Sequence, residues 1–514
     1  MIRTLLVFGR LNSVYCESVQ IHSVERIFPW LKHGHTMHYS ARFACILSFV
    51  GLTSATLAAD WPQFRGPNSS GHDGSKLTLP SEIGPTSSVL WKVALPPGHS
   101  SPVVVGDRIY VTAVRDQKLL TLALERESGK FLWNVEAPRT TLEKVHKIGS
   151  HAQSSPAADS ERVVSFFGSC GLFCYDRKGT LLWERRMGPF SNDFGAGSSP
   201  INVGDWVILS QDHDQGSFLE AIDKKTGKSV WRTDRSEFLR GYCTPVIWES
   251  GKQKYIVVAG TLRVAGYDLT TGKEAWTVRG VSRTVCMTPV VGEDGRLYVA
   301  GWSAGGEEGE RIDVDSFDNI IKDLDKNTNS KLEVAELPKG PIQERFTQVD
   351  VNKDGSLTRE EYERFRGLFK KSQNVILAIR PGGTGDITET HVDWRHTKYV
   401  PFCSSPLFAA GMIFTVKDGG FLCNLDARDG KVIKRDRLAA GTGNYYSSPV
   451  VGDGKIYLLS DRGKLTVVSA EKEWKEVANS DFKEDVYATP ALVDGRIYVR
   501  TVGHLYCFGT AAKR

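Results

Sequence analysis

Cysteine is sparse in this chain, long apolar runs are nearly absent, and charge of either sign barely prevails. With 65 basic against 60 acidic residues the formal charge is only +5. Removing residues 1–59, where Arg3, Arg10, Arg26, Lys32 and Arg42 face only Glu17 and Glu25, lowers it to +2. Phosphate binding needs clustered positive charge, so a basic nucleic-acid binder is excluded. The one long apolar run, Phe43 to Leu57, follows Arg42 and ends at Ala58-Ala59. That is the charged, apolar, small-residue order of a secretory signal. It is shorter than the roughly 20 residues a spanning helix needs, and no later stretch approaches that length, so no integral span is expected after cleavage. Met37 just upstream offers an alternative start. Cys45 opens the apolar run rather than closing it, which argues against a lipid anchor. The expected location is secreted or periplasmic.

Of nine cysteines, cleavage would leave seven. An odd number scattered over residues 60–514 is no disulfide framework. Cys170 and Cys174 are near neighbours and read as small strand residues, although an oxidising compartment would permit a bridge.

What is present is repetition. A Ser/Thr-Pro step recurs at Pro102, Pro156, Pro200, Pro245, Pro289, Pro406, Pro449 and Pro490, with intervals of 54, 44, 45, 44, 117, 43 and 41. Subtracting one insertion of about 71 residues makes the period nearly uniform. Each step leads into a strand, a Gly or Asp-Gly turn and a second strand, as in Ala491–Val499, which reads as a hairpin. A second feature closes each unit: Ala221, Asp223, Thr226 and Gly227 lead to Trp231, and Asp268 and Gly272 lead to Trp276. The same shape precedes Trp133 and Trp183, whereas Asp426 and Gly430 lead to Lys434. A Trp ending an outer strand is too large to leave wet and should dock on the neighbouring unit. Units of this length with four strands are propeller blades.

The expected fold is therefore all-β, an eight-bladed β-propeller of four-stranded blades. The last unit is one strand short, and Ser88–Leu95 has the outer-strand signature without a blade of its own. An N-terminal strand should therefore close the ring. The expected organisation is a leader over 1–59, a preamble over 60–87, propeller over 88–302, an insertion over 303–373 in blade five, and propeller again over 374–514.

Within the insertion the pattern turns helical: Ile320, Ile321 and Leu324 share one face, and Tyr362, Phe365 and Phe369 another. Between them Asp350–Glu361 has the spacing of an EF-hand calcium loop. Asp350, Asn352 and Asp354 would supply side-chain oxygens, Ser356 its carbonyl, and Glu361 two oxygens, with Gly355 at the sharp turn. Asp325, Asn327, Asn329, Lys331 through its carbonyl, Glu333 and Glu336 repeat the layout 25 residues earlier. Ser330 there occupies the left-handed position that favours glycine, and Leu332 answers Leu357. Residues 307–371 carry 16 acidic and 12 basic side chains. Two Ca2+ ions would cancel that excess, and without them the module should loosen. The expected affinity lies in the roughly 10⁻⁴–10⁻³ M range of extracellular modules.

With the blades and Asp60-Trp61-Pro62-Gln63-Phe64-Arg65-Gly66-Pro67 in view, the chain resembles the PQQ-like propellers, the superfamily of quinoprotein alcohol dehydrogenases. It is also similar to secreted polyvinyl-alcohol-dehydrogenase-like relatives and to the propeller that aids outer-membrane protein assembly. The pattern Ala221-x-Asp223-x-x-Thr226-Gly227-x-x-x-Trp231 carries the likeness. The resemblance implies either a binding scaffold for protein or polysaccharide, or a PQQ-dependent dehydrogenase oxidising alcohols or sugars in the funnel. Family dehydrogenases have adjacent cysteines beside the quinone. This chain has none, and their Glu, Asn and Asp metal ligands are not assigned to fixed positions here, which weakens the dehydrogenase reading without excluding it, since some relatives lack the cysteine pair.

The residues three places before each recurring proline should face the axial funnel: His99, Gln153, Gly197, Tyr242, Cys286, Cys403, Tyr446 and Tyr487. Mixed aromatic and polar, they suit a small-ligand mouth, or fill the channel as packing. His151 and His213 are candidates for proton transfer, although His213, between Asp212 and Asp214, reads as a solvated turn. Gly382-Gly383-Thr384-Gly385 reads as a loop. No nucleophile elbow, phosphate loop or zinc spacing is present.

Overall fold

Eight sheets of antiparallel strands follow one another along the chain in the computed structural model, which describes residues 60–307 and 309–510. The leader, with Cys16, Met37 and Cys45, lies outside the described residues. The eighth sheet is ordered Val89–Ala94, His504–Gly509, Arg496–Arg500, Ala491–Val493, so the N-terminal strand completes the last blade as expected. Its register, Trp91 opposite Cys507 and Ala94 opposite His504, is antiparallel. The pairing joins the N-terminal end of the propeller to its C-terminal blade and covers the His504–Gly509 strand, which would otherwise be the edge. The fourth sheet has a fifth strand, Gly385–Asp386, parallel to Trp276 and Thr277. The end of the glycine-rich segment therefore pairs with a sheet, where a loop was expected.

The repeated Ser/Thr-Pro step has a physical cause at the axis. Inner strands converge there without ladder partners, so their first N–H groups need other acceptors. The Ser101 N–H donates to Ser155 Oγ at 2.9 Å, Ser155 to Ser199 at 3.0 Å and Ser199 to Thr244 at 3.1 Å. The Thr288 N–H donates to Ser405 Oγ, Ser405 to Ser448, and Ser448 to Thr489, each at 3.0 Å. Thr489 then donates to Ser101 at 3.0 Å and links the last blade to the first. The hydroxyls are interblade acceptors, and each proline starts a strand where no N–H is required.

At the rim tryptophans dock onto the following blade, whereas Trp276, expected to do the same, lies over Gly266 of its own blade with its indole N–H unpartnered. The Trp183 indole N–H donates to the Lys224 carbonyl at 2.9 Å. Trp133, Trp231 and Trp394 do the same to Arg177, Leu269 and Ala427 at 2.7, 3.1 and 3.0 Å. Gly227 lies under the Trp183 ring with φ +71°, and a Cβ there would stand 2.6 Å from the indole. Both the backbone conformation and the approach demand glycine. Gly227→Ala should cost about 1–3 kcal/mol, read as a lowered denaturation midpoint at unchanged m-value. In blade six Lys434 stands in for Trp, and the next blade supplies the ring. Lys434 Nζ donates to the Trp474 carbonyl at 2.8 Å and sits 4.2 Å over that indole.

The preamble runs across one end of the axis. Trp61 bridges to Val104, the Ala158 N–H donates to the Pro62 carbonyl, and Arg65 Nη2 donates to the Pro406 carbonyl at 2.9 Å. Arg65 is fully buried, and burial pushes its guanidinium down to about 9.

Between Leu297–Gly301 and Val375–Ile379 the chain leaves blade five. Ser303 and Asn374 pin the stem, the Ser303 N–H donating to Asn374 Oδ1 at 2.8 Å. The excursion holds helices α1 (Phe317–Leu324), α2 (Pro341–Glu344), α3 (Phe346–Val349) and α4 (Arg359–Lys371). It has its own core, in which Phe317, Leu332, Val349, Leu357, Tyr362, Phe365 and Phe369 are buried together, with Ile320, Ile321 and Leu324 against them. No helix among the described residues is long and apolar enough to cross a membrane.

Candidate functional site

The two acidic loops of the insertion lie side by side, joined where Leu332 pairs antiparallel with Leu357. Asp350 caps the end of α3, and Thr358 opens α4 through a capping box with Glu361. In loop 350–361 the side chains turn inward onto their own backbone. Asp350 Oδ2 accepts the Gly355 N–H at 3.0 Å, Asn352 Oδ1 that of Asp354 at 2.9 Å, and Asp354 Oδ1 that of Ser356 at 2.9 Å. Glu361 reaches back from α4, its Oε1 accepting the Val351 N–H at 2.9 Å. Gly355 takes φ +83° at the turn. Asp350 is only 6% exposed, and its Oδ1 is buried without a hydrogen-bond partner. A buried carboxylate oxygen is costly unless paired with a cation or a donor.

Loop 325–336 has the same order. Asp325 Oδ2 accepts the Ser330 N–H at 2.8 Å, Asn327 Oδ1 that of Asn329 at 3.1 Å, and Asn329 Oδ1 that of Lys331 at 2.8 Å. Glu336 Oε1 accepts the Lys326 N–H at 2.9 Å. Glu333 takes amide hydrogens from Asn327 and Asn329. Ser330 adopts φ +61°, the strained left-handed position where its sister loop has glycine. Lys331 Nζ crosses to Asp354 Oδ2 at 2.9 Å. That contact and the Ser356 hydroxyl hold the Asp354 carboxyl well below its usual range. Among the described residues no group of three or more His, Cys, Asp or Glu side chains is gathered as a metal cluster. Each loop's remaining donors are amide and carbonyl oxygens, which suit a hard cation.

The funnel is a cavity of ≈ 180 Å³, and all eight residues placed three before the prolines line it: His99, Gln153, Gly197, Tyr242, Cys286, Cys403, Tyr446 and Tyr487. Phe64 from the preamble lines it as well. The His99 ring stacks on Tyr487 at 4.0 Å, and Tyr446 stacks on Tyr487 at 5.7 Å, making one aromatic wall. Burial and the neighbouring Arg500 push His99 down to about 4, so it is neutral at pH 7.

Two expectations need correction. His151 and His213 are not among the residues lining this cavity. Nor is the Asp212-His213-Asp214 segment a solvated turn, because the three residues are 3%, 4% and 5% exposed. Asp212 grips Arg235 with both oxygens, Nε to Oδ1 at 2.8 Å and Nη2 to Oδ2 at 2.7 Å. Asp214 pairs with Arg240 at 2.6 Å and accepts from Gln348 of α3 at 2.9 Å. The Gln215 side chain donates to the Asp350 carbonyl at 3.4 Å. This buried network, invisible to local sequence reading, seats the insertion on the propeller. His151 Nε2 lies 2.8 Å from the Glu143 carbonyl.

Burial lowers His213 from 6.5 to about 4. The folded state therefore prefers the neutral ring, and His213 stabilises fully above pH ~6.5. That contribution, up to about 3 kcal/mol, is lost as pH falls towards 4. A His213→Gln variant should flatten the pH–stability curve in that window, measured by urea unfolding.

The family model PQQ_2, described as outer membrane protein assembly factor BamB, matches residues 83–194, 123–314 and 386–513. No curated protein matches the chain. Among solved structures, BamB from Moraxella catarrhalis is similar at 13% identity and TM-score 0.50, covering 82% of this chain and 99% of its own. A europium-containing methanol dehydrogenase is similar at 10% identity and TM-score 0.54, covering 88% of this chain and 98% of its own. The computationally designed Ika8 protein is similar at 9% identity and TM-score 0.50, covering 82% and 100%. At these identities the likeness is one of fold.

Proposed function

The chain belongs to the PQQ-repeat propeller family of outer membrane protein assembly factor BamB, and on that premise we propose that it is an exported, calcium-carrying propeller that works by binding. The observation that carries the calcium part is the pair of inward-turned loops with the buried, unpartnered Asp350 Oδ1 between them and α3. Asp350, Asn352, Asp354, Glu361 and the Ser356 carbonyl would hold one ion. Asp325, Asn327, Asn329, Glu336 and the Lys331 carbonyl would hold the other. Calcium would neutralise the module's excess of carboxylate and replace the amide contacts that the side chains now make. The Lys331–Asp354 pair must open for Asp354 to ligate, which together with Ser330 favours weak binding. The scaffold part is supported by the family's description and the exported part by the leader pattern of Arg42 to Ala59; the partner class is protein or polysaccharide.

Hydrogen exchange on the full chain tests this reading. EGTA should accelerate amide exchange within 307–371 and Ca2+ should restore protection, while blade amides stay unchanged. Identical exchange in both conditions would remove the calcium role.

A second reading, a PQQ-dependent dehydrogenase, is favoured by one feature. The wall of His99, Tyr487 and Tyr446 fits a planar ring system. Incubation with PQQ and Ca2+ followed by dye-linked alcohol oxidation tests it, and absence of both quinone absorbance and turnover would sink it.

A further inference from the structure

Two cysteines that are 117 positions apart meet on the funnel wall. Cys286 stands two residues before Thr288, where blade five begins, and Cys403 two residues before Ser405, where blade six begins. The Thr288 N–H to Ser405 Oγ bond of 3.0 Å holds these two segments side by side. Elsewhere on the ring, side chains at the same two positions touch across the blade boundary. Tyr487 meets His99 at 4.0 Å, and Tyr446 meets Tyr487 at 5.7 Å. At the five–six boundary the equivalent side chains are short thiols. The neighbouring Cys403 thiol and burial together push the Cys286 thiol well above its ordinary range. Both are half-buried and border the cavity, whereas Cys170, Cys174, Cys243, Cys423 and Cys507 are buried.

We infer that Cys286 and Cys403 are a redox-active dithiol that closes to a disulfide across blades five and six when a low-molecular-weight disulfide enters the funnel. Cys403 makes the first attack. Its thiolate bonds to one sulfur of R–S–S–R, and the expelled thiolate takes up the proton that Cys403 released. Cys286 then attacks the Cys403 sulfur of the mixed disulfide. The second R–S leaves, taking the Cys286 proton. The two protein thiols lose two electrons and two protons, and R–S–S–R becomes two R–SH; excess thiol reverses the exchange. The closed bond would span the stem of the helical insertion, because residues 303–373 lie between the two cysteines.

Treatment of the native full chain with oxidised glutathione at pH 8, followed by non-reducing peptide mapping, tests this. A Cys286–Cys403 linked peptide is expected, with loss of two free thiols and full recovery on adding dithiothreitol. Cys286→Ser should instead trap glutathione on Cys403, the resolving sulfur being gone. Phenylarsine oxide, which requires two neighbouring thiols, should bind the untreated wild type one to one, and this arm does not depend on the variant folding. Both thiols remaining free after oxidation would overturn the inference, as would glutathione persisting on Cys403 of the wild type or no arsenical uptake.

Discussion

Asp212→Ala should cost about 3–5 kcal/mol of stability, because it leaves a buried guanidinium without its counter-charge. Arg235 is 1% exposed, is held by both oxygens of Asp212 and lies 3.7 Å over the Phe238 ring. It cannot reach water to recover the lost pairing. Urea unfolding at pH 7 should show the midpoint collapse, and Asp212→Asn should fall between wild type and alanine. Exchanging both partners for apolar residues, Asp212→Leu with Arg235→Met, should recover much of the loss, since a buried pair is dear to break but not to replace. A single-variant loss below about 1 kcal/mol, the value of an exposed pair, would show that the pair is solvated after all.

The second large effect concerns the loops. A Glu336→Gln, Glu361→Gln double variant should weaken calcium binding on the order of a hundredfold, because each glutamate would supply two oxygens to its ion. Folding of the apo module should survive. Glutamine at Glu361 keeps the capping box of α4, whose Thr358 hydroxyl accepts the N–H of residue 361 at 3.3 Å. Circular dichroism unchanged without calcium, together with lost calcium response, is the expected combination. Unchanged affinity in the double variant would defeat the ligand assignment.

What could be read from the sequence was local or periodic. The proline intervals and the Asp-x-x-Thr-Gly to Trp spacing report the blades because each unit repeats the same local problem. The orphan strand before Leu95 reports ring closure because the last unit is visibly short. The loop spacing is legible because its residues lie within twelve positions of one another. Contacts between distant positions were not legible. Asp212 and Asp214 looked like a polar turn because the neighbouring residues are polar; nothing nearby announces Arg235 or Gln348 as partners. The preamble carried the family likeness, yet its position across the axis depends on Val104 and Pro406. Cys286 and Cys403 were readable as members of a ring, but their adjacency follows from which blades are neighbours once the insertion is removed. The Ser/Thr hydroxyls were read as part of a strand-start signal, and only the closed ring shows them accepting across every boundary described above.

The most direct test is calorimetric titration of Ca2+ into the full chain at low protein-bound metal. The account predicts two ions per chain, with affinity in the roughly 10⁻⁴–10⁻³ M range. A flat titration, or binding that survives when both loop-ending glutamates are glutamine, would contradict it.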